Sequence, residues 1–167
     1  MPQILDEIEE CVPALRRYAR ALTHNPDLAD DLVQDCLERA IRKRSLWRPS
    51  GSVRSWTFRI LLNVYRNDLR RRRRALDLPL DALETDPPGF DTQSGRLALA
   101  ETARAMQSLP MEQREVLLLV AVEEMSYADA AQVLGIPIGT LMSRLGRARA
   151  TLRRLTEAGA PKLRSVK

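Results

Sequence analysis

The sequence predicts an all-α protein of two small helical domains joined by a flexible acidic linker, the C-terminal domain containing a helix-turn-helix. Three observations lead there. Apolar residues recur at helical spacing through the long stretches on either side of the linker. Strand-like alternation is absent, and only 4% of the 167 residues are aromatic. The segment Leu78 to Ser94, LPLDALETDPPGFDTQS, carries Pro79, Pro87, Pro88 and Gly89 and lacks a sustained apolar face. So long a loop is unusual inside a compact domain and reads as a linker. The expected organisation is a first domain at 1–75, a linker at 76–94, a second domain at 95–158 and a tail at 159–167.

Pro26 to Arg44 reads as the first informative helix. Leu28, Leu32, Val33, Cys36, Leu37, Ala40 and Ile41 fall on its buried side, while Asp30, Asp31, Gln34, Asp35 and Glu38 gather on another. An acidic stripe repels DNA, so spacing alone leaves two readings: a solvated face, or a face for a basic protein surface.

Ser52 to Arg74 reads as the next helix. At about 3.6 residues per turn, Ser52, Trp56, Arg59, Asn63, Arg66 and Arg70 form one narrow stripe. Phe58, Ile60, Leu61, Leu62, Val64, Tyr65 and Leu69 cover most of the remainder. Guanidinium groups grip phosphates, aromatic rings stack on unpaired bases, and an asparagine reads a base edge. Trp47, Arg48 and the Pro49-Ser50-Gly51 turn stand just before this row. Trp56 taken alone suits a core position as well as a base-stacking one, and the run Arg70 to Arg74 suits a solvated end as well as a phosphate grip.

Ser126 to Arg154, SYADAAQVLGIPIGTLMSRLGRARATLRR, has the grammar of a helix-turn-helix. Ser126 is a good N-cap, Ala130 and Ala131 allow close packing, and Gly135 suits the left-handed end of a helix. Pro137 falls near the start of the next helix, where its missing N–H costs little. That second helix is the one a helix-turn-helix inserts into a DNA groove. Its expected apolar face is Ile138, Leu141, Met142, Leu145, Ala148, Leu152 and Leu155. Thr140, Ser143, Arg147 and Arg154 lie roughly opposite, with Arg144 at the edge. Five arginines and no acidic residue occur between Ala130 and Thr156. Arginine binds phosphate or a guanine edge bidentately, and short hydroxyls reach phosphates or bases.

The charge distribution agrees with nucleic-acid binding. Residues 1–74 carry a net +6, residues 75–95 a net −5 and residues 96–167 a net +4. Two basic blocks joined by an acidic strap suggest two DNA-facing modules and a linker with a different partner. Other classes are excluded. The longest apolar run, Val116 to Val122, is too short to span a bilayer, and the N-terminus is acidic, so the expectation is a cytoplasmic protein without membrane insertion. Cys11 and Cys36 lack CxxC spacing and His24 is the only histidine, so no metal site can be assembled and both cysteines read as small core residues. Neither a Gly-rich phosphate loop nor a nucleophile–histidine pair is present; the expectation is a protein without a cofactor that is not an enzyme.

Both halves resemble one family, the extracytoplasmic-function (group IV) sigma factors of bacterial RNA polymerase. ADDLVQDCLERA followed by SVRSWTFRILLNVYRNDLRRRRR is similar to the family's region two. LPMEQREVLLLVAVEEMSYADAAQVLGIPIGTLMSRLGRARATLRR is similar to region four. The two matches cover most of the chain, in order, with a linker between them.

The resemblance implies roles that periodicity does not supply. Asp30, Asp31, Gln34 and Asp35 correspond to the face that packs on the β′ clamp helices of polymerase. Arg48 through Arg66 correspond to the stretch that melts and reads the −10 element, with an extruded base held near the turn before Ser52; Trp47, Arg48, Ser52, Trp56, Arg59, Asn63, Arg66 and Arg70 are the implied contacts. The helix-turn-helix corresponds to the −35 reader, with Ser126, Tyr127, Thr140, Ser143, Arg144, Arg147 and Arg154 as implied contacts. The region around Leu109 to Val122 corresponds to the β flap contact, and the linker to a segment threading towards the RNA exit path. An anti-sigma factor is an implied partner. Two positions depart from the family pattern. Met142 stands where lysine or arginine is common, and Gly146 where a larger side chain is common. Glycine there costs about 1 kcal/mol of helix stability relative to alanine, and it either permits closer DNA approach or removes a contact. The implied function is a promoter-specificity subunit that opens DNA by binding the displaced strand. A sigma-like decoy that sequesters an anti-sigma factor is the alternative, and a stand-alone helix-turn-helix repressor a third.

Overall fold

A computed structural model describes residues 2–49, 51–76 and 94–159. The described residues form helices without a strand: α1 (Pro2–Thr23), α2 (Pro26–Arg42), α3 (Val53–Leu76), α4 (Ser94–Gln107), α5 (Met111–Leu117), α6 (Tyr127–Leu134) and α7 (Ile138–Gly159). A 3-10 turn at Arg44–Leu46 follows α2, and a π-helical turn at Leu118–Val122 extends α5. The segment 77–93, which holds nearly all of the expected linker, and the tail 160–167 lie outside the described residues.

Local chemistry sets the boundaries. The Asn25 side chain accepts from the N–H groups of Asp27 (3.0 Å) and Leu28 (3.1 Å), capping α2, with Pro26 at its first position. The sequence places the end of α2 at Arg44; the chain leaves the α-helix at Arg42 and tightens into the 3-10 turn. Ser52 stands one residue outside α3, and its Oγ accepts from the N–H of Ser55 at 3.0 Å. Ser126 caps α6 as expected, accepting from the N–H of Asp129 at 3.1 Å, and Gly135 closes α6 at φ 66°.

In the first module α1, α2 and α3 pack on one another around Leu15, Tyr18, Leu22, Leu32, Cys36, Phe58, Leu61 and Leu62. Tyr18 and Phe58 meet edge to face with centroids 5.3 Å apart. A smaller cluster of Ile4, Ile8, Ala40 and Val53 lies at its far end, flanked by the half-buried Trp47 and Trp56. In the second module α7 packs against α4, α5 and α6 through Leu141, Leu145 and Ala148. That buried line is narrower than the wheel suggests. Ile138, Met142 and Leu155 are exposed (51%, 54% and 36%), because α7 meets its neighbours along one i, i+4, i+7 line and these positions lie beside it. Ile41, at the last turn of α2, is likewise exposed.

The modules touch. α6 packs on α3 and the π-turn packs on α1, and the buried apolar residues of both modules belong to one continuous cluster. Cys11 and Cys36 are free thiols buried within it, and burial pushes the Cys36 thiol up to about 12. Among the described residues no helix is long and apolar enough to cross a membrane, and no group of three acidic, histidine or cysteine side chains is arranged to hold a metal ion.

Candidate nucleic-acid interface

The acidic stripe of α2 is on the surface. Asp30, Asp31, Gln34 and Asp35 are all exposed, and the ion pair from Asp30 to Arg20 is a loose 3.8 Å. Asp31, Gln34 and Asp35 of α2 line a groove of about 340 Å³ together with Leu28, Leu32, Tyr65 and Leu69, and with Asp68, Arg71 and Arg72 of α3. Its α2 side, acid beside apolar residues, suits an amphipathic partner with a basic edge.

α3 presents the mixed stripe. Ser52, Arg59, Asn63 and Arg70 are exposed, while Trp56 and Arg66 are half-buried. Trp47 and Trp56 lean on the small apolar cluster, so each is part core and part surface. With Arg48, Ser52 and Arg59 they line a recess of about 130 Å³ that Gln132 and Val133 of α6 wall on its other side. Next to it a groove of about 440 Å³ runs between α2 and α3, lined by Arg39, Lys43, Asn63, Asn67, Arg66 and Arg70. Arg39, Lys43 and Asn67 were not visible as site residues in the sequence, because the first two sit on the helix that reads as acidic.

Two of the stripe's cations reach across to the second module. The Nε and Nη2 atoms of Arg66 donate to the two carboxylate oxygens of Glu115 at 3.1 and 2.7 Å, and this bonding raises Arg66 above its ordinary value. The Arg59 guanidinium donates to the Gln132 carbonyl. Arg54 had no role in the sequence reading. It donates to Glu123 Oε2 (3.0 Å) and to the Glu123 carbonyl (2.8 Å), with Phe58 beneath its guanidinium at 5.7 Å. Arg17 grips the same carboxylate at 3.0 and 2.8 Å. Tyr18, fully buried, donates to the Glu115 carbonyl at 3.2 Å, and burial holds its hydroxyl well above the ordinary range. One of these acids had a local signal: Glu115 stands at i, i+3, i+4 with Leu118 and Leu119, on the buried face of an apolar run. Glu123 had none, because the π-turn moves it. Its N–H bonds the Leu118 carbonyl five residues back, which turns Glu123 inward and leaves Val122 41% exposed.

On the helix-turn-helix, Ser143, Arg147 and Arg154 are exposed and Thr140 is half-buried at the start of α7. Arg144 is half-buried and pairs with Glu112 at 3.3 Å. Ser126 spends its hydroxyl on Asp129, donating to Oδ2 at 2.7 Å while accepting from the N–H, and Tyr127 is 36% exposed. A Cβ built on Gly146 would meet nothing within 4 Å, so no packing requires glycine there.

Comparison with known proteins assigns both modules. Residues 8–62 match the Sigma2 domain of PhyR, and residues 99–152 match Sigma-70, region 4. The chain is 39% identical over 147 residues to the ECF RNA polymerase sigma factor EcfG of Rhodopseudomonas palustris, covering 88% of this chain and 81% of that one. The chain belongs to the ECF RNA polymerase sigma factors. Among solved structures, this sigma factor is similar to RpoE of Bartonella quintana in complex with the anti-sigma factor NepR. That likeness has a TM-score of 0.78 at 30% identity and covers 96% of this chain and all of the other (100%). CnrH, solved with the cytosolic domain of CnrY, superposes with a TM-score of 0.69 at 34% identity over 92% of this chain and 86% of the other. The family expected from the sequence and the all-helical two-module fold are both borne out. Direction of transcription to promoters is therefore the function of this sigma factor.

Proposed function

We propose that this sigma factor acts in four contacts, three of them made by the surfaces described. The exposed Asp31, Gln34 and Asp35 and the groove beneath them seat a basic helical element of core polymerase, the β′ clamp. The α3 stripe with Trp47, Arg48, Ser52, Trp56, Arg59, Asn63, Arg66 and Arg70 holds melted −10 DNA: the tryptophan recess stacks a displaced base and the basic groove tracks phosphates. The second helix of the helix-turn-helix reads the −35 element through Thr140, Ser143, Arg144, Arg147 and Arg154, with Tyr127 at the groove edge. Ser126 supports this by capping α6. The segment from Leu109 to Val122 meets the β flap. The domains span 1–75 and 95–158, joined by the linker 76–94 and followed by the tail 159–167. Opening energy comes from strand binding, so the chain has no catalytic step of its own and works in the cytoplasm.

The observation that carries this reading is the pairing of an exposed arginine face on α7 with a stripe of exposed Arg59, Asn63 and Arg70 on α3. A repressor would need only the first. An anti-sigma factor is the further partner, because the solved relatives RpoE and CnrH are complexed with NepR and with the cytosolic domain of CnrY. Run-off transcription with purified core polymerase and genomic promoter fragments tests the proposal. Promoter-specific transcripts are expected; failure to support any transcript while still binding an anti-sigma protein would favour the decoy.

A further inference from the structure

The α3 stripe and the second module share their contacts. Arg54, Arg59 and Arg66 lie along one helix, and each reaches across to the second module: Arg54 to Glu123, Arg59 to the Gln132 carbonyl and Arg66 to Glu115. Gln132 and Val133 also close one side of the recess beside Trp47 and Trp56. Resting on the assignment of Arg59 and Arg66 to −10 DNA made above, we propose that Glu115 is an internal counter-ion that masks this face in the free chain, with Glu123 clasping the modules together beside it through Arg17 and Arg54, so that docking of the two modules and capture of a DNA strand exclude each other.

The geometry supports direct competition. Glu115 offers Arg66 two oxygens at 3.1 and 2.7 Å, the same two-oxygen edge that a phosphate offers to a guanidinium fork. Arg66 keeps about a quarter of its side chain exposed, whereas the Glu115 and Glu123 side chains are 1% and 0% exposed. The acids are therefore almost fully buried in the docked chain, and the arginines sit nearer its surface, where an incoming strand would meet them.

The ion pairs themselves add little net free energy to the contact, since desolvation of both groups offsets their attraction. The cost of parting the modules is therefore set by the apolar surface they share. Parting the modules hydrates two carboxylates and frees Arg66, Arg59 and the recess together. A strand then binds only the open fraction of molecules, and its apparent affinity falls by that fraction. A partner that holds the modules apart unmasks the face; one that bridges them keeps it shut.

The full-length chain tests this by small-angle scattering and by binding of a fluorescein-labelled, mixed-sequence single-stranded DNA oligonucleotide. Glu115→Gln/Glu123→Gln is expected to enlarge the radius of gyration and to tighten strand binding about tenfold if the open form is about a tenth of the parent population. Arg17→Gln provides a second variant. Its side chain is 53% exposed and outside the DNA contacts, so it loosens the Glu123 contact without endangering the core. Adding Arg66→Ala to the opened chain should abolish most of the gain. An unchanged radius in folded variants overturns the clasp and leaves the −10 assignment standing. Opening without tighter binding, where Arg66→Ala still weakens the strand, overturns the masking alone. Opening with Arg66→Ala indistinguishable from its parent overturns the −10 assignment, and the masking with it.

Discussion

Gly146 shows how one residue separates packing from function. It lies on the exposed side of α7 with open space where a Cβ would project, so the helix bears glycine's backbone entropy with no packing gain in return. Gly146→Ala should raise stability by about 1 kcal/mol in urea unfolding, and any accompanying change in −35 preference would show that close approach is the reason for glycine. Arg147, one position on, is exposed, whereas Arg144 is shared with Glu112. Arg147→Ala in the holoenzyme is therefore expected to leave the melting temperature unchanged. It should cost about 1–3 kcal/mol of promoter discrimination if it reads a base, or lower the salt slope by about one if it holds a phosphate. Transcription that survives intact across a salt series would remove it from the interface. His24 carries a pH signature. Burial, aided by the Arg114 charge, lowers it from 6.5 to about 4. Between those values the unfolded chain binds a proton that the folded chain refuses, so stability falls as pH drops through this window and is unaffected by His24 above it. His24→Gln should flatten that part of a stability–pH curve measured by chemical denaturation.

At the scale of elements, the proposed contacts give α2 to protein and α3 to DNA, on two faces of one module. Reversing Asp31 and Asp35 to lysine is expected to weaken core polymerase binding at least tenfold in a fluorescence titration while leaving the helical circular dichroism intact, since both side chains are exposed. On α3 the structure changes which substitution is diagnostic. Asn63 is exposed, so Asn63→Ala should reduce permanganate reactivity of the open complex at an unchanged melting temperature. Arg66→Ala should lower both, because it strips Glu115 of its partner. Much of this was legible in the sequence: the cap at Ser126, the glycine turn at Gly135, the surface position of the acidic stripe and the apolar lines of α2 and α3 all follow from local spacing. The width of the buried face of α7 did not, because a wheel says which residues are apolar and not how much of the helix its neighbours cover. The π-turn was invisible for a related reason. One inserted residue rotates Glu123 into the core and Val122 out of it, and neither residue type announces the change.

For the whole molecule, the decisive contacts join residues far apart in the chain: Arg17 to Glu123, Arg54 to Glu123, Arg66 to Glu115 and Tyr18 to Glu115. No local pattern encodes such pairs, and two basic modules on a linker leave open whether the modules dock or stay loosely tethered. Their apolar residues form one continuous cluster, sealed by carboxylates with almost no solvent contact. Modules that share a core unfold together, so calorimetry of the parent chain should show a single transition whose calorimetric and van't Hoff enthalpies agree. Removing both partners of Glu123 changes the balance. In Arg17→Gln/Arg54→Gln a fully buried carboxylate would stand uncompensated, at a cost of about 3–5 kcal/mol if it stayed in place. Parting the modules hydrates the charge and escapes that cost, while each three- or four-helix module keeps its own interior. The scan should then split into two transitions with a combined enthalpy below that of the parent. Adding Glu123→Gln to this variant removes the stranded charge and should draw the two transitions back towards one. A single cooperative transition in the Arg17→Gln/Arg54→Gln chain, at the parental temperature, would mean that apolar contact alone holds the modules and that Glu123 is a passenger at their boundary.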